Sequence, residues 1–318
     1  MSNKTVLDLS GKCDQLVENM FEKCTLLQWL FISNNKISEL KETVFQPLNQ
    51  LKRLYISNNI ISELSEGVFE RLEQLQYLYI SRNEIIGLNL AALKPLRNLQ
   101  LLDLSNNKIG NFGNQSPFDT LTALQLLDLS YNKLTELDER LLENNVQLRW
   151  LNISNNDIKE LLGKMFKSLF KLERLHVSSN QISYLDLNVD TLVDLDASNN
   201  RIREVNHIQV GRLKTLILFK NKLDTFAIES DSLTKLDISS NGIKTISLKC
   251  KNLKFLKVSK NKLTEFDIAN FSQLKELYIN ENKIFKLSPN MFEDWPMILS
   301  NLEKFHLHIN KFSIFFLS

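Results

Sequence analysis

Aliphatic residues recur along the chain in a pattern that predicts one short β-strand per repeat. In LRWLNISNNDI, residues 148–158, apolar residues occupy the first, fourth, sixth and eleventh positions, and asparagine occupies the ninth. Alternation in the middle of this pattern points two aliphatic side chains to the same side of a strand. The pattern occurs thirteen times, with its asparagine at Asn35, Asn59, Asn83, Asn107, Asn132, Asn156, Asn180, Asn200, Asn221, Asn241, Asn261, Asn282 and Asn310. The chain is therefore predicted to be a stack of repeating coils.

The repeat L-x-x-L-x-L-x-x-N-x-L is the leucine-rich repeat template. It predicts an α/β solenoid with a parallel β-sheet on its concave face, about 13 repeats and a degenerate N-terminal coil. Burying roughly six or seven aliphatic side chains stabilises one coil by about 1.5–3 kcal/mol each. Ordering its backbone costs about 1–2 kcal/mol per residue. A lone coil is therefore unstable, and stacking that buries both of its faces is required.

The template asparagines are predicted to be structural. Each lies where the chain turns inward after the strand, so its side-chain amide can bond backbone groups of its own coil and of the adjacent coil. These residues are expected to form a ladder through the solenoid.

The spacing of the asparagines divides the chain into two regimes. From Asn35 to Asn180 the steps are 24 or 25 residues, and from Asn180 to Asn282 they are 20 or 21. We expect one domain over 1–318, with a degenerate first coil at 1–26, long repeats at 27–182, short repeats at 183–284, and a last repeat at 285–318. The long repeats carry a second apolar cluster that the short ones lack, so the curvature is predicted to change near 180–200.

Both ends lack the cysteine cluster that commonly closes a solenoid. An open end exposes apolar core. Two interpretations are open for the C-terminus: the aromatic residues Phe312, Phe315 and Phe316 plug it, or the chain is truncated there.

Composition and charge exclude several classes of function. With 39 basic and 37 acidic residues, the net charge is only +2, which does not favour general binding to nucleic acid or membranes. No apolar run is long enough to span a membrane, and the first residues lack the pattern of a secretion signal. Only eight glycines occur, and no catalytic or metal-ligand spacing is present. We expect no enzyme activity, cofactor or metal; a weak chelate at His306 and His308 is the remote exception.

The variable positions of the strands are predicted to form a protein-binding surface. Aromatic residues and one arginine cluster at its start, a composition typical of binding hot spots. Acidic and polar residues follow, which could meet a basic partner, although LDLS is also a common filling of the template. The predicted binding residues are Trp29, Phe31, Arg53, Tyr55, Tyr77, Tyr79, Asp103, Asp128, Asn152, His176 and Asp196.

The three cysteines leave the redox compartment open. Cys13 and Cys24 lie on neighbouring coils and could form a disulfide, whereas Cys250 is either a free thiol or an intermolecular link.

Sequons for N-glycosylation occur at Asn3, Asn152 and Asn270, and a weaker one at Asn114. Asn152 lies in the middle of the predicted binding surface, so it is either glycosylated or an open polar contact.

The sequence between residues 175 and 223, with its LDAS-N coil, resembles the mosquito leucine-rich immune proteins (APL1/LRIM-like). The segments VFQPL and VFERL are more distantly similar to Toll-type receptor ectodomains. The first resemblance implies an extracellular innate-immune protein of the haemolymph, with another leucine-rich repeat protein and a thioester complement-like protein as partners. The family's C-terminal cysteine cap and coiled coil are not found here, so covalent dimerisation is not implied.

Two other interpretations fit the residues. One is the ectodomain of a Toll-like or cell-adhesion receptor, and the other is an intracellular leucine-rich regulatory subunit. All three are non-catalytic.

Overall fold

The predicted strands are present in the computed structural model, which describes residues 4–113, 115–206, 208, 211–267, 271–287 and 300–311. The chain divides into two compact units, Met1–Leu172 and Glu173–Ser318. Each unit is a solenoid of stacked parallel strands with little helix. The parallel-sheet leucine-rich repeat fold is thus confirmed.

The first unit has one three-residue strand per coil. Neighbouring strands pair in parallel and in register, so that Leu30, Leu54 and Leu78 align at the centre of successive strands. These central leucines are fully buried, while the residues on either side face solvent. The strands are β1 (Val6–Asp8), β2 (Trp29–Phe31), β3 (Arg53–Tyr55), β4 (Tyr77–Tyr79), β5 (Leu101–Asp103), β6 (Leu126–Asp128) and β7 (Trp150–Asn152).

The template asparagines bond backbone groups of two coils. The Nδ2 of Asn107 donates to the carbonyl of Leu104 in its own coil, at 3.0 Å, and to that of Ile80 in the preceding coil, at 3.2 Å. Its Oδ1 accepts the backbone N–H of Ile85 at 3.1 Å. The other template asparagines make similar side-chain bonds to backbone carbonyls within each unit, and these bonds pair polar groups that are buried or partly buried.

The residue before each ladder asparagine has a left-handed backbone conformation. Asn155, for example, has a φ of 55°, and Tyr131 has a φ of 54°. Asparagine tolerates this region better than most residues because its short polar side chain bonds locally. The double asparagine in SNN therefore combines two backbone roles: the first forms the turn, and the second belongs to the ladder.

The outer wall of the first unit is filled by the second apolar cluster of the long repeats. It contains α1 (Leu90–Leu93), capped by Asn89, and a 3-10 helix (Gly163–Phe166). The rings of Phe21, Phe45 and Phe69 stack behind one another, with 6.3 Å between successive centroids. All three are fully buried.

One position of this wall is occupied by a buried polar residue. Asn145 is fully buried three residues before the first template leucine, where neighbouring long repeats have Leu121 and Leu169. Its Nδ2 donates to the carbonyls of Phe118 and Leu121, both at 3.0 Å, but these oxygens already accept backbone N–H groups. Its Oδ1 has no hydrogen-bond partner among the described residues.

We expect Asn145→Leu to stabilise the protein, since an unpaired buried amide oxygen costs about 1–3 kcal/mol. The free energy of unfolding, measured by urea denaturation, should rise by about 1 kcal/mol or more. Asn144→Leu, at the exposed neighbouring position, should give no such gain. Equal or lower stability of Asn145→Leu would show that the oxygen is satisfied in solution.

The second unit also has one sheet strand per coil. These strands pair in parallel and in register, as Leu195, Leu216 and Leu236 show. They are β8 (Arg174–His176), β10 (Asp194–Asp196), β12 (Thr215–Ile217), β14 (Lys235–Asp237), β16 (Phe255–Lys257), β18 (Glu276–Tyr278) and β20 (Lys304–His306).

The outer wall of the second unit is made of extended chain instead of apolar turns. Its strands pair in parallel, two by two. They are β9 (Tyr184–Asp186) with β11 (Glu204–Asn206), β13 (Thr225–Glu229) with β15 (Thr245–Lys249), and β17 (Glu265–Phe266) with β19 (Lys286–Leu287). Apolar and polar residues alternate in TFAIE and TISLK, which indicates strands there. The leucine-rich repeat template alone does not predict them. A single core over 1–318 and a change in curvature stay predictions.

The cysteines are free thiols, so the predicted alternative of a Cys13–Cys24 disulfide is wrong for this structure. Cys24 is buried at the wall position that Leu48 fills in the next coil. Cys250 is also fully buried, which raises the pKa of its thiol and keeps it from linking to another chain in the folded state.

Candidate functional site

Six predicted binding residues form two parallel columns on the solvent face of β2, β3 and β4. We call these six residues the aromatic surface: Trp29, Arg53 and Tyr77 in the first column, and Phe31, Tyr55 and Tyr79 in the second. In-register pairing of the strands brings residues 24 apart in sequence next to each other.

The first column is a cation–π sandwich. The guanidinium carbon of Arg53 lies 4.7 Å from the ring centroid of Trp29 and 4.6 Å from that of Tyr77. Both rings hold the planar guanidinium, so its conformational freedom is reduced before any partner arrives. The hydroxyl of Tyr77 donates to Gln100 of the next coil at 3.4 Å.

The second column is a continuous stack of rings. The centroid of Tyr55 lies 4.4 Å from that of Phe31 and 4.6 Å from that of Tyr79, and the planes are within 8° of parallel. Burial raises the pKa of the Tyr79 phenol, and nearby Tyr55 raises it further, while Arg53 opposes the shift. The phenol is therefore protonated at neutral pH and can donate a hydrogen bond to a partner.

The first column of the aromatic surface is continued by apolar residues that the sequence did not predict to bind a partner. The first column continues in register from Tyr77 to Leu101, Leu126 and Trp150, all half-buried. These three residues do not stand out in the sequence, because Leu101 and Leu126 are ordinary leucines and Trp150 is two coils beyond Leu101. Comparing the same column in every copy of the template would have found them.

The acidic residues of the second column have a structural role in addition to any contact with a partner. Oδ1 of Asp103 accepts the backbone N–H of Ser105 at 3.0 Å, and Oδ1 of Asp128 accepts that of Ser130 at 2.8 Å. Asp8, Asp196 and Asp237 make the same bond to the serine two residues on. The aspartate of LDLS thus closes a turn at the end of the strand.

The carboxyl group of Asp128 has a raised pKa. Burial raises its pKa most, and the negative charge of Asp103 in the adjacent strand adds to the effect. Hydrogen bonds from Ser130 and Asn152 lower it in part. A cation placed beside these two aspartates would stabilise both charges.

Asn152 follows the same turn geometry. Its Oδ1 accepts the backbone N–H of Ser154 at 3.1 Å and the Ser154 hydroxyl at 2.7 Å, and its Nδ2 donates to Asp128 at 3.2 Å. The side chain is half-buried. Its amide is therefore already engaged by its own coil and the preceding one, which favours an unmodified residue; glycosylation itself stays a prediction.

The remaining predicted binding residues lie in the second unit. His176 and Asp196 face each other in register on β8 and β10, and both are half-buried. The predicted binding residues are thus divided between the two units. His306 stacks on Tyr278, with 4.7 Å between centroids, and lies 6.1 Å from His308.

Several predicted positions fall outside the described residues: the sequons at Asn3, Asn114 and Asn270, His207 and the aromatic tail. Within the described ranges, no group of three or more histidine, cysteine or acidic residues could hold a metal ion. Across the same residues, no helix has the length and apolar character needed to span a bilayer.

Comparisons with known proteins agree with this architecture. A family model described as leucine rich repeat matches residues 5–61, 49–109 and 113–158, and a second leucine rich repeat model matches 98–121. None of the curated proteins compared with the chain matches it.

Solved structures share the fold at low sequence identity. The leucine-rich repeat domain of APL1 has a TM-score of 0.79 at 20% identity, covering 96% of this chain and 80% of that one. An internalin (InlF) from Listeria monocytogenes has a TM-score of 0.67 at 24% identity, covering 97% and 82%. TLR13, solved as a complex with ssRNA13, has a TM-score of 0.70 at 23% identity, covering 96% and 54%.

The fold indicates a protein-binding repeat protein, because stacked repeats expose one extended sheet surface for partners. With the thirteen-fold template and the asparagine ladder, the chain has the leucine-rich repeat fold, and its residues 5–158 match leucine rich repeat family models.

Proposed function

We propose that the chain is a non-catalytic recognition protein that binds a protein partner through the aromatic surface. The observation that carries this proposal is the pair of ordered columns, the Trp29–Arg53–Tyr77 sandwich beside the stacked rings of Phe31, Tyr55 and Tyr79. Trp, Tyr and Arg dominate the energetics of protein interfaces. Rings already fixed by stacking lose little side-chain entropy on binding.

The neighbouring residues define the chemistry of the partner. Leu101, Leu126 and Trp150 extend the apolar column, while Asp103 and Asp128 lie beside it. A partner that presents an apolar side chain to the column and a lysine or arginine to the aspartates would satisfy both. One oxygen of each aspartate closes a turn, and the second oxygen of Asp128 also accepts a hydrogen bond from Asn152, so Asp103 offers the partner the less engaged carboxylate.

The biological setting we propose is insect innate immunity. The chain would act as a secreted recognition or scaffold protein that holds a thioester complement-like protein, alone or with a second leucine-rich repeat protein. The resemblance around residues 175–223 and the shared fold with the APL1 domain support this role.

The test is the double variant Tyr55→Ala with Tyr79→Ala. The full chain is immobilised, and binding of a purified insect thioester complement-like protein is measured by biolayer interferometry. Loss of two central rings should weaken affinity by about tenfold to a hundredfold.

A matched control removes two exposed rings that lie off this sheet face, by Tyr131→Asn with Phe170→Ala. The control should bind like the wild type. If the Tyr55/Tyr79 variant also binds like the wild type, the aromatic surface is not the contact. If the wild type itself does not bind, the complement-like partner is wrong.

A further inference from the structure

Positive charge is concentrated in the later repeats, although the whole chain is nearly neutral. From residue 211 onward there are 17 lysines and arginines against 11 acidic residues, whereas residues 1–210 have 22 against 26. Sixteen of the 17 are lysines. Residues 211–318 are therefore basic, although the net charge of the whole chain is only +2.

Ion pairs neutralise part of this charge on the sheet side of the second unit. Lys257 lies 3.8 Å from Asp237, Lys275 lies 2.6 Å from Glu303, and Lys304 lies 3.1 Å from Glu276. The acidic side chains on or directly before the sheet strands β14, β18 and β20 thus each have a lysine partner.

Three exposed lysines at the amino ends of neighbouring strands have no ion-pair partner among the described residues. We call Lys214, Lys235 and Lys254 the lysine triangle. Lys214 directly precedes β12, Lys235 begins β14, and Lys254 directly precedes β16. Paired strands are about 4.8 Å apart, so the backbones of Lys214 and Lys254 are about 10 Å apart, with Lys235 between them.

Aromatic rings adjoin the lysine triangle, but their faces are already covered. The Nζ of Lys235 lies 5.4 Å from the ring centroid of Phe255, and that of Lys257 lies 5.7 Å from that of Phe219. Tyr278 packs against Phe255 on one side and stacks on His306 on the other. Lys235 and Tyr278 therefore already occupy positions beside the Phe255 ring at which a nucleic-acid base would stack.

We propose that the lysine triangle binds a short acidic peptide segment of a protein partner, one that carries an apolar side chain next to its carboxylates. The three ammonium groups without ion-pair partners can bind two or three carboxylates. Lysine binds a carboxylate in many orientations, because its ammonium group is a compact charge on a flexible side chain. An apolar side chain of the segment would lie against the half-buried ring of Phe255, which is next to Lys254 in the chain and beside Lys235. A long uniform polyanion fits less well, because Asp237, Glu276 and Glu303 would lie beneath it. This surface is separate from the aromatic surface and does not depend on its function.

The experiment uses a fluorescein-labelled peptide of alternating glutamate and leucine, titrated with the full chain in 50 mM salt and followed by fluorescence anisotropy. The triple variant Lys214→Glu, Lys235→Glu and Lys254→Glu should weaken binding by about tenfold or more. A peptide with lysine in place of glutamate should not bind.

The chain offers a control with an identical change in charge. Lys222, Lys244 and Lys262 are exposed and also form no ion pair within the described residues. Lys222 and Lys262 each follow a sheet strand by five residues, and Lys244 directly precedes the outer strand β15. Their triple replacement by glutamate should change affinity by less than about twofold, because screening weakens charges beyond about 10 Å. Circular dichroism establishes that both variants are folded.

Two outcomes would overturn the proposal. If both triple variants lose affinity equally, the peptide responds to net charge and the lysine triangle is not a site. If heparin or poly(U) binds as tightly as the peptide at equal charge concentration, the surface is a general polyanion binder.

Discussion

Replacement of Asn107 by alanine is expected to lower the free energy of unfolding by about 3 kcal/mol. The carbonyls of Ile80 and Leu104 each keep a second asparagine donor, from Asn83 and Asn132. The backbone N–H of Ile85 has its acceptor in Asn107 Oδ1 and loses it. The expected loss combines this stranded buried donor, worth about 1–3 kcal/mol, with the net contribution of the lost amide bonds, about 1 kcal/mol each.

The measurement is urea denaturation followed by circular dichroism, and the adjacent asparagine provides the control. Asn106 is exposed and has a φ of 55°, which glycine adopts without strain. Asn106→Gly should therefore stay within about 0.5 kcal/mol of the wild type. A similarly small effect of Asn107→Ala would mean that the ladder does not stabilise the stack.

Phe45→Ala is expected to destabilise the protein by about 3–5 kcal/mol, the range for removing a buried phenylalanine. Phe45 is 1% exposed and lies between the rings of Phe21 and Phe69. Its removal opens a cavity between two coils, and the flanking rings cannot fill it because backbone hydrogen bonds hold the turns of the outer wall that carry Phe21 and Phe69.

The control for Phe45 is the smaller change to leucine. Phe45→Leu keeps most of the buried volume and should cost less than about 1.5 kcal/mol. Both variants are measured by urea denaturation. If the two differ by less than about 1 kcal/mol, the cavity is filled by relaxation and the ring stack contributes little.

The asparagine ladder illustrates what a repeat lets a sequence predict. Thirteen copies of one spacing place Asn59, Asn107 and Asn200 in the same environment. The hydrogen bonds of one coil therefore predict those of the others. Their hydrogen bonds follow from the stacking alone, since every coil presents the same backbone groups to the next.

The aromatic surface was found in part for the same reason. Alternation in the strand indicated that Tyr55 and Tyr79 face solvent, and in-register stacking indicated that they are neighbours. Sequence could not indicate that Arg53 lies between the rings of Trp29 and Tyr77, because the rotamers of three side chains decide this contact. The continuation to Leu101, Leu126 and Trp150 was within reach of the sequence, because the in-register strand pairs join the same template position in successive copies.

Cysteine and charge show where sequence reasoning was incomplete. Cys24 looked like half of a disulfide but packs as a core residue, a distinction that depends on burial and not on spacing. The net charge of the chain does not reveal the lysine triangle. Which lysines lack an ion-pair partner depends on which carboxylates lie within ion-pair distance of them.

The sequence by itself determined the parallel-stranded solenoid, the buried template leucines and the position of every ladder asparagine. It could do so because a fixed period copies one set of local interactions along the chain. Only the tertiary structure decided which surface side chains stack, which charges are paired, and that the short repeats build their outer wall from paired strands. Those properties depend on distances between coils, which one coil's residues do not encode.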